Sequence, residues 1–182
     1  RTGATSAVAS KILARPESST IGLVGAGAQA VTQLHGLSRV FPIREALVYD
    51  INVGNAESFL KRAAFLGLPI RVCSLPELEQ KADIICTATS VENGAKPVIA
   101  GESLQPHVHI NAVGADQPGK TELPLPLIHK SRVCPDFIDQ AMADGECQKM
   151  NRADVEPDLF ELIQSPKDYR SWQEEQTIFD ST

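Results

Sequence analysis

Two groups of residues in this chain have types and spacings that can do chemistry. The first is Gly25-Ala26-Gly27-Ala28-Gln29-Ala30, of the form G-x-G-x-x-A. Such a pattern also arises wherever a glycine turn joins a strand to a helix, so its flanks decide what it means. Here a short apolar run from Thr20 to Val24 enters it, and a helical stripe of Ala30, Leu34, Leu37 and Phe41 leaves it. In that setting Gly25 permits a tight turn and Gly27 lets the backbone approach a pyrophosphate. Ala30 lets helix and strand pack closely, and the helix aims its first N–H groups at the phosphates. Asp50 ends the next apolar run, 23 residues beyond Gly27. A carboxylate there can accept from both ribose hydroxyls of a dinucleotide and would repel a 2′-phosphate. No arginine follows it directly, so NAD is expected rather than NADP. A solvated aspartate at a strand end is the alternative reading.

The second group follows two later apolar runs: Thr87-Ala-Thr89-Ser90, and Asn111-Ala112-Val113-Gly-Ala-Asp116-Gln-Pro-Gly-Lys120. In an open parallel sheet, ligands sit at the carboxyl ends of the strands, which is where the glycine turn, Asp50, Thr89 and Asp116 would meet. Asp-Gln-Pro-Gly is also a good β-turn with aspartate at its first position. Asp116 therefore has two readings, a turn former or a group beside the cofactor.

Strands must carry these residues to one edge, and the pattern supplies them. Apolar runs at 20–24, 46–49, 70–73, 83–86 and 107–111 alternate with helical stripes, and 132–134 and 177–179 add later strands. The alternation predicts an α/β fold of the Rossmann type: a doubly wound, mainly parallel sheet with helices on both faces. An entering helix is expected over 1–14, a dinucleotide core over 20–135 and an acidic part over 136–182. The stretch after Asp144 is weakly periodic and receives no assignment. Ser74-Leu-Pro-Glu77 reads as a reciprocal capping box opening a helix that runs to Lys81.

Composition narrows the function classes. With 182 residues, 42% hydrophobic and 22% charged, the chain is an ordinary globular domain. Its net charge of −6 is uneven: residues 1–91 carry 9 basic and 7 acidic groups, residues 92–182 carry 8 and 16. An acidic half argues against nucleic acid as a partner. No apolar run reaches membrane-spanning length and no signal peptide opens the sequence, so a cytoplasmic protein without membrane contact is expected. Cys73, Cys86, Cys134 and Cys147 form no CxxC pair and read as reduced, mostly buried thiols. The four histidines are scattered and no metal site is expected. No serine sits in a G-x-S-x-G elbow, so acyl transfer has no support. Trp172, among charges, reads as a packing anchor.

The segments Arg1-Thr-Gly-Ala-Thr-Ser6, Gly25-Ala-Gly-Ala-Gln29, Asn111-Ala-Val-Gly-Ala-Asp-Gln-Pro-Gly-Lys-Thr-Glu-Leu123 and Ile178-Phe-Asp-Ser-Thr182 together resemble the ornithine cyclodeaminase and mu-crystallin family. The likeness runs end to end, and the Gly-Ala-Asp-x-Pro-Gly-Lys-x-Glu-Leu string is its most specific part. Pro106-His107 departs from the expected Pro-Gly, away from the proposed site.

Carried over, the resemblance places Ala28, Gln29, Asp50, Thr89, Ile110, Asn111, Ala112, Val113, Lys120 and Ser181 around NAD, with the glycine turn at Gly25 and Gly27. It makes Asp116 the proton donor and acceptor, and Arg1 the arginine that holds the substrate carboxylate. It implies an NAD-dependent enzyme acting at the α-carbon of an amino or cyclic imino acid, with L-ornithine to L-proline and ammonia as the first expectation. Alanine dehydrogenase and cyclic ketimine reductase are the alternatives, and a non-enzymatic mu-crystallin-like binder is the alternative of another class. Asp116 and Lys120 favour an enzyme. The resemblance also implies that this is the nucleotide-binding domain alone, lacking an N-terminal substrate and dimerisation domain. The full-length protein is then expected to be a homodimer, and the chain alone to bind cofactor without turnover.

Overall fold

The computed structural model describes residues 1–155 and 157–182. Its elements follow the predicted alternation: α1 (Thr2–Leu13), β1 (Thr20–Val24), α2 (Ala28–Ser38), β2 (Glu45–Tyr49), α3 (Val53–Arg62), β3 (Ile70–Val72), α4 (Leu75–Lys81) and β4 (Ile84–Thr87). Then come β5 (His109–Ala112), α5 (Leu125–Lys130), β6 (Arg132–Pro135), α6 (Ile138–Asp144), α7 (Leu159–Gln164) and β7 (Thr177–Asp180). Among the described residues, seven strands form one sheet in the order β3-β2-β1-β4-β5-β7-β6, and every pairing is parallel.

Successive strand side chains point to opposite faces, so each buried strand needs a cover on both sides. On one face Leu47, Ile85, Ile110, Val133 and Ile178 pack with Leu78 of α4, Leu127 of α5 and Ala141 of α6. On the other, Ile21, Leu23, Val48 and Cys86 pack with Leu34 of α2 and Phe59 of α3. Cys134 and Phe179 extend that face against Leu13 of α1 and Leu162 of α7. Rossmann-type double winding follows directly, because the helices divide between the faces.

One local reading is corrected. Ser74 accepts from the Glu77 N–H at 3.4 Å, but the Glu77 carboxylate does not return to Ser74. It bonds Arg71 at 2.9 Å and Lys81 at 2.8 Å instead, because two cations outcompete one neutral amide. The reciprocal box forms at Asp158 and Glu161, opening α7 inside the unassigned stretch. Of the two later strands, β7 inserts between β5 and β6. Its four residues are buried, whereas Arg132 of β6 is exposed and suits the edge.

Two fully buried acids, Glu146 and Asp180, sit close to one another where β7 ends. Glu146 accepts the Glu122 N–H at 2.6 Å and the Leu123 N–H at 3.2 Å, and Asp180 accepts the Cys147 N–H at 3.0 Å. Burial, only partly opposed by those backbone bonds, pushes the Glu146 carboxyl up to about 8 and Asp180 to about 6. A carboxyl whose folded pKa exceeds its unfolded one stabilises the fold while protonated, and loses that contribution as pH rises through the folded value. His109, which burial lowers to about 3, acts in the opposite sense, but its influence ends near its unfolded value of 6.5. Between pH 6.5 and 8.5 the Glu146 effect is therefore the main one, joined in the same sense by the tail of Asp180 at the lower end and by the buried thiols of Cys86, Cys134 and Cys147, which burial pushes up, at the upper end. The melting midpoint should fall by roughly 5 °C over that interval. Glu146→Gln should flatten the dependence, which thermal melts at three pH values would check. An equal slope in the variant would exclude Glu146 as its source.

Candidate functional site

A cavity of about 670 Å³ opens at the carboxyl ends of β1, β2 and β4, where the crossover direction of the sheet reverses. The glycine turn, Asp50, Ala88 to Val91 and Lys96 to Val98 form its walls. Gly25 has φ +91, and a Cβ there would lie 2.6 Å from the Ala88 carbonyl oxygen, so only glycine closes this turn. Gly27 differs. Its φ of −77 suits any residue, and a Cβ on it would meet nothing within 4 Å. Among the described residues no neighbour explains glycine at that position, whereas close approach by a ligand does. α2 begins there without a side-chain cap or an acidic first-turn residue, leaving its first amides for an anion.

Asp50 is pinned at the rim. Its Oδ2 accepts the Ala26 N–H at 2.8 Å and its Oδ1 the Asn52 N–H at 2.8 Å. Each oxygen retains a lone pair for a hydroxyl of a bound ribose. Arg62, which the sequence reading passed over, braces the turn by donating to the carbonyls of Ala26 and Gly27. Its only sequence signal was a cation in the last turn of the following helix. Thr89 lines the facing wall, with both its N–H and its hydroxyl donating to Glu122 Oε1 at 2.7 and 2.6 Å.

The residues named from sequence thus fall into distinct places. Gly25, Gly27, Asp50 and Thr89 share the cavity. Ala28 and Gln29 lie beside it on the exposed first turn of α2. Ile110, Asn111 and Ala112 are buried within β5, and the Asn111 amide is engaged with Ser10 of α1 at 3.0 Å. Val113 leaves that strand half-buried. Ser181 follows the neighbouring β7, its N–H on the Ala112 carbonyl and its hydroxyl on Asp136 at 3.3 Å. Arg1 precedes α1, which runs beside α2 in the same direction through Gly3 and Gly36, and so enters from the carboxyl-end side of the sheet.

Asp116 and Lys120 form an ion pair at 2.7 Å, the lysine side chain 11% exposed and the aspartate 61%. The turn between them is displaced by one residue from its expected frame. The Lys120 N–H donates to the Gln117 carbonyl at 3.1 Å, so Gln117 opens the turn and Pro118 and Gly119 occupy its centre. Gly119 has φ +82, the conformation that a type II turn requires at its third position. Asp116 therefore stands outside the turn, its carboxylate paired with Lys120. Gln148, also missed from sequence, holds this turn through the Gly119 N–H at 2.6 Å and the Lys120 carbonyl at 3.1 Å.

Known proteins resemble this chain along its whole length. L-lysine cyclodeaminase of Streptomyces rapamycinicus is 47% identical over 182 residues, covering 100% of this chain and 53% of that protein. A solved lysine cyclodeaminase, studied for recognition of L-lysine, L-ornithine and L-2,4-diamino butyric acid, superposes with TM-score 0.97 at 48% identity, over 100% of this chain and 53% of its own. An archaeal alanine dehydrogenase dimer with bound NAD superposes with TM-score 0.92 at 38% identity, over 100% of this chain and 57% of its own. The chain thus spans about half the length of the curated relatives it matches. The model of the ornithine cyclodeaminase/mu-crystallin family matches residues 1–182 from end to end, and to that family this chain belongs.

Proposed function

We propose that this chain is the NAD-binding part of an enzyme that cyclises an α,ω-diamino acid of the ornithine and lysine class with loss of ammonia. The observation that carries the cofactor half is the open cradle at Gly27 beside the pinned Asp50 carboxylate. Bound NAD would supply a reversible hydride acceptor for the substrate α-carbon, so that L-ornithine would yield L-proline and ammonia without net redox change. The amides at the start of α2 hold the pyrophosphate, and Asp50 accepts from the adenosine ribose. Asp116 takes up and returns protons at the substrate nitrogen, with Lys120 fixing its carboxylate. Arg1 pairs with the substrate carboxylate. A further domain, in keeping with the length of the relatives, covers the exposed face of Asp116 and completes a homodimer. The likeness to a lysine cyclodeaminase favours this reading. The likeness to an NAD-bound alanine dehydrogenase supports net amino-acid oxidation as the second.

Calorimetric titration should show tighter binding of NAD than of NADP, because a 2′-phosphate would face Asp50 with like charge. Asp50→Ser should narrow the gap, chiefly by weakening NAD. Equal affinities in the wild-type chain would show that Asp50 does not read the ribose. Product analysis of the enzyme that contains this chain, with NAD and L-ornithine, L-lysine, L-alanine or pyrroline-2-carboxylate, separates cyclodeamination from net redox chemistry.

A further inference from the structure

Glu122 ends the loop that carries Asp116 and Lys120 and is the glutamate of the Gly-Ala-Asp-x-Pro-Gly-Lys-x-Glu-Leu string, a member to which the sequence gives no role. In the fold it is fully buried and its carboxylate gathers four neutral donors. Oε1 accepts the Thr89 N–H at 2.7 Å and the Thr89 hydroxyl at 2.6 Å. Oε2 accepts the Thr87 hydroxyl at 2.6 Å and the Gly114 N–H at 2.9 Å. The Glu122 carbonyl in turn accepts the Val98 N–H at 2.8 Å. Thr89 and Val98 are walls of the cavity, and Gly114 begins the loop that Glu122 closes.

A buried carboxylate is costly unless it is fully hydrogen-bonded, so its presence here calls for a reason. The donor set supplies one. A backbone N–H points at each of the two oxygens, and a carboxylate is the side-chain group that accepts on both. An amide of the same shape would turn its NH₂ toward either Thr89 or Gly114, whichever way it flipped. Gly114 is fitted to the same group, since a Cβ there would lie 2.3 Å from Oε1.

We propose that Glu122 is a positioning residue that locks the Asp116–Lys120 loop to the wall of the cofactor cavity, setting both in one geometry. This rests on the reading that the cavity takes NAD. Glu122→Gln keeps the volume and removes one of the two backbone bonds. It should weaken NAD binding about tenfold, measured by calorimetry well below the melting midpoint of the variant. Amide hydrogen exchange should accelerate at Thr89 and Gly114 while Leu23 and Val48, in the neighbouring strands, keep their protection. That local pattern is one a general packing role would not produce. Thr87→Val, which removes a hydroxyl donor and leaves both amides in place, should show a smaller loss of affinity of the same kind. It decides the matter if the glutamine variant does not fold.

NAD affinity within twofold of wild type in the glutamine variant, or in the valine variant if that alone folds, overturns the proposal. So does exchange that quickens equally throughout the sheet. A wild-type chain that does not bind NAD overturns the cofactor reading and this inference with it, whereas wild-type affinity in the variants overturns the inference alone.

Discussion

Asp116→Asn should lower turnover of the enzyme that contains this chain about 10²- to 10⁴-fold while leaving folding and NAD affinity close to wild type. The structure separates the two readings of this residue. Asp116 lies outside the hydrogen-bonded turn that spans Gln117 to Lys120, and its carboxylate bonds Lys120 at 2.7 Å. Asp116 is itself 61% exposed, and asparagine keeps a side-chain oxygen for the Lys120 ammonium, so the change costs the fold on the order of 1 kcal/mol. Nothing about the local backbone asks for an acid. What asparagine cannot do is take up and release a proton, and that is the property the proposed chemistry uses. Steady-state kinetics beside a melting curve and an NAD titration would check it. A variant with unchanged stability, unchanged NAD affinity and more than about a tenth of wild-type turnover would remove Asp116 from the mechanism.

Gly27→Val should abolish NAD binding and leave the fold intact. The valine side chain meets open space in the chain as it stands, and φ of −77 is comfortable for it. Its isopropyl group would stand where the backbone must approach the pyrophosphate, forfeiting charge-assisted bonds to the first amides of α2. Two such bonds at about 1.5–3 kcal/mol each correspond to a loss of roughly 10²- to 10⁴-fold. Gly25→Ala should do the reverse and damage the fold first, because φ is +91 and the Ala88 carbonyl is 2.6 Å from the new Cβ. Calorimetry and thermal melts on the two variants would separate the roles. Undiminished NAD binding by Gly27→Val would place the pyrophosphate elsewhere.

Much of the frame was legible because its signals are local. Short apolar runs punctuated by glycine or proline marked β1 to β5, and the strand-turn-helix context made the Gly25–Ala30 string more than a chance match. Asp50 could be placed because the strand before it must end at the same edge as β1. Where several local solutions competed, the reading slipped. The Asp116–Lys120 turn moved by one residue because the positive φ falls on Gly119, and the reciprocal cap moved to Asp158 because Arg71 and Lys81 claimed Glu77.

Identity and order along the chain settled the strand-helix alternation, the glycine turn and the acid that follows it, since each depends on neighbours within a few residues. Three features waited for the folded molecule. β7 inserts between β5 and β6, Gln148 braces a turn 28 residues away from it at Lys120, and Glu122 gathers Thr87, Thr89 and Gly114. Strand order depends on which apolar strand can be covered on both faces, and that is known only when the helices have packed. A buried glutamate carries no periodic signature. Its role is set by the donors that chain segments 8 to 35 residues away bring to it, and those converge only when the sheet has assembled.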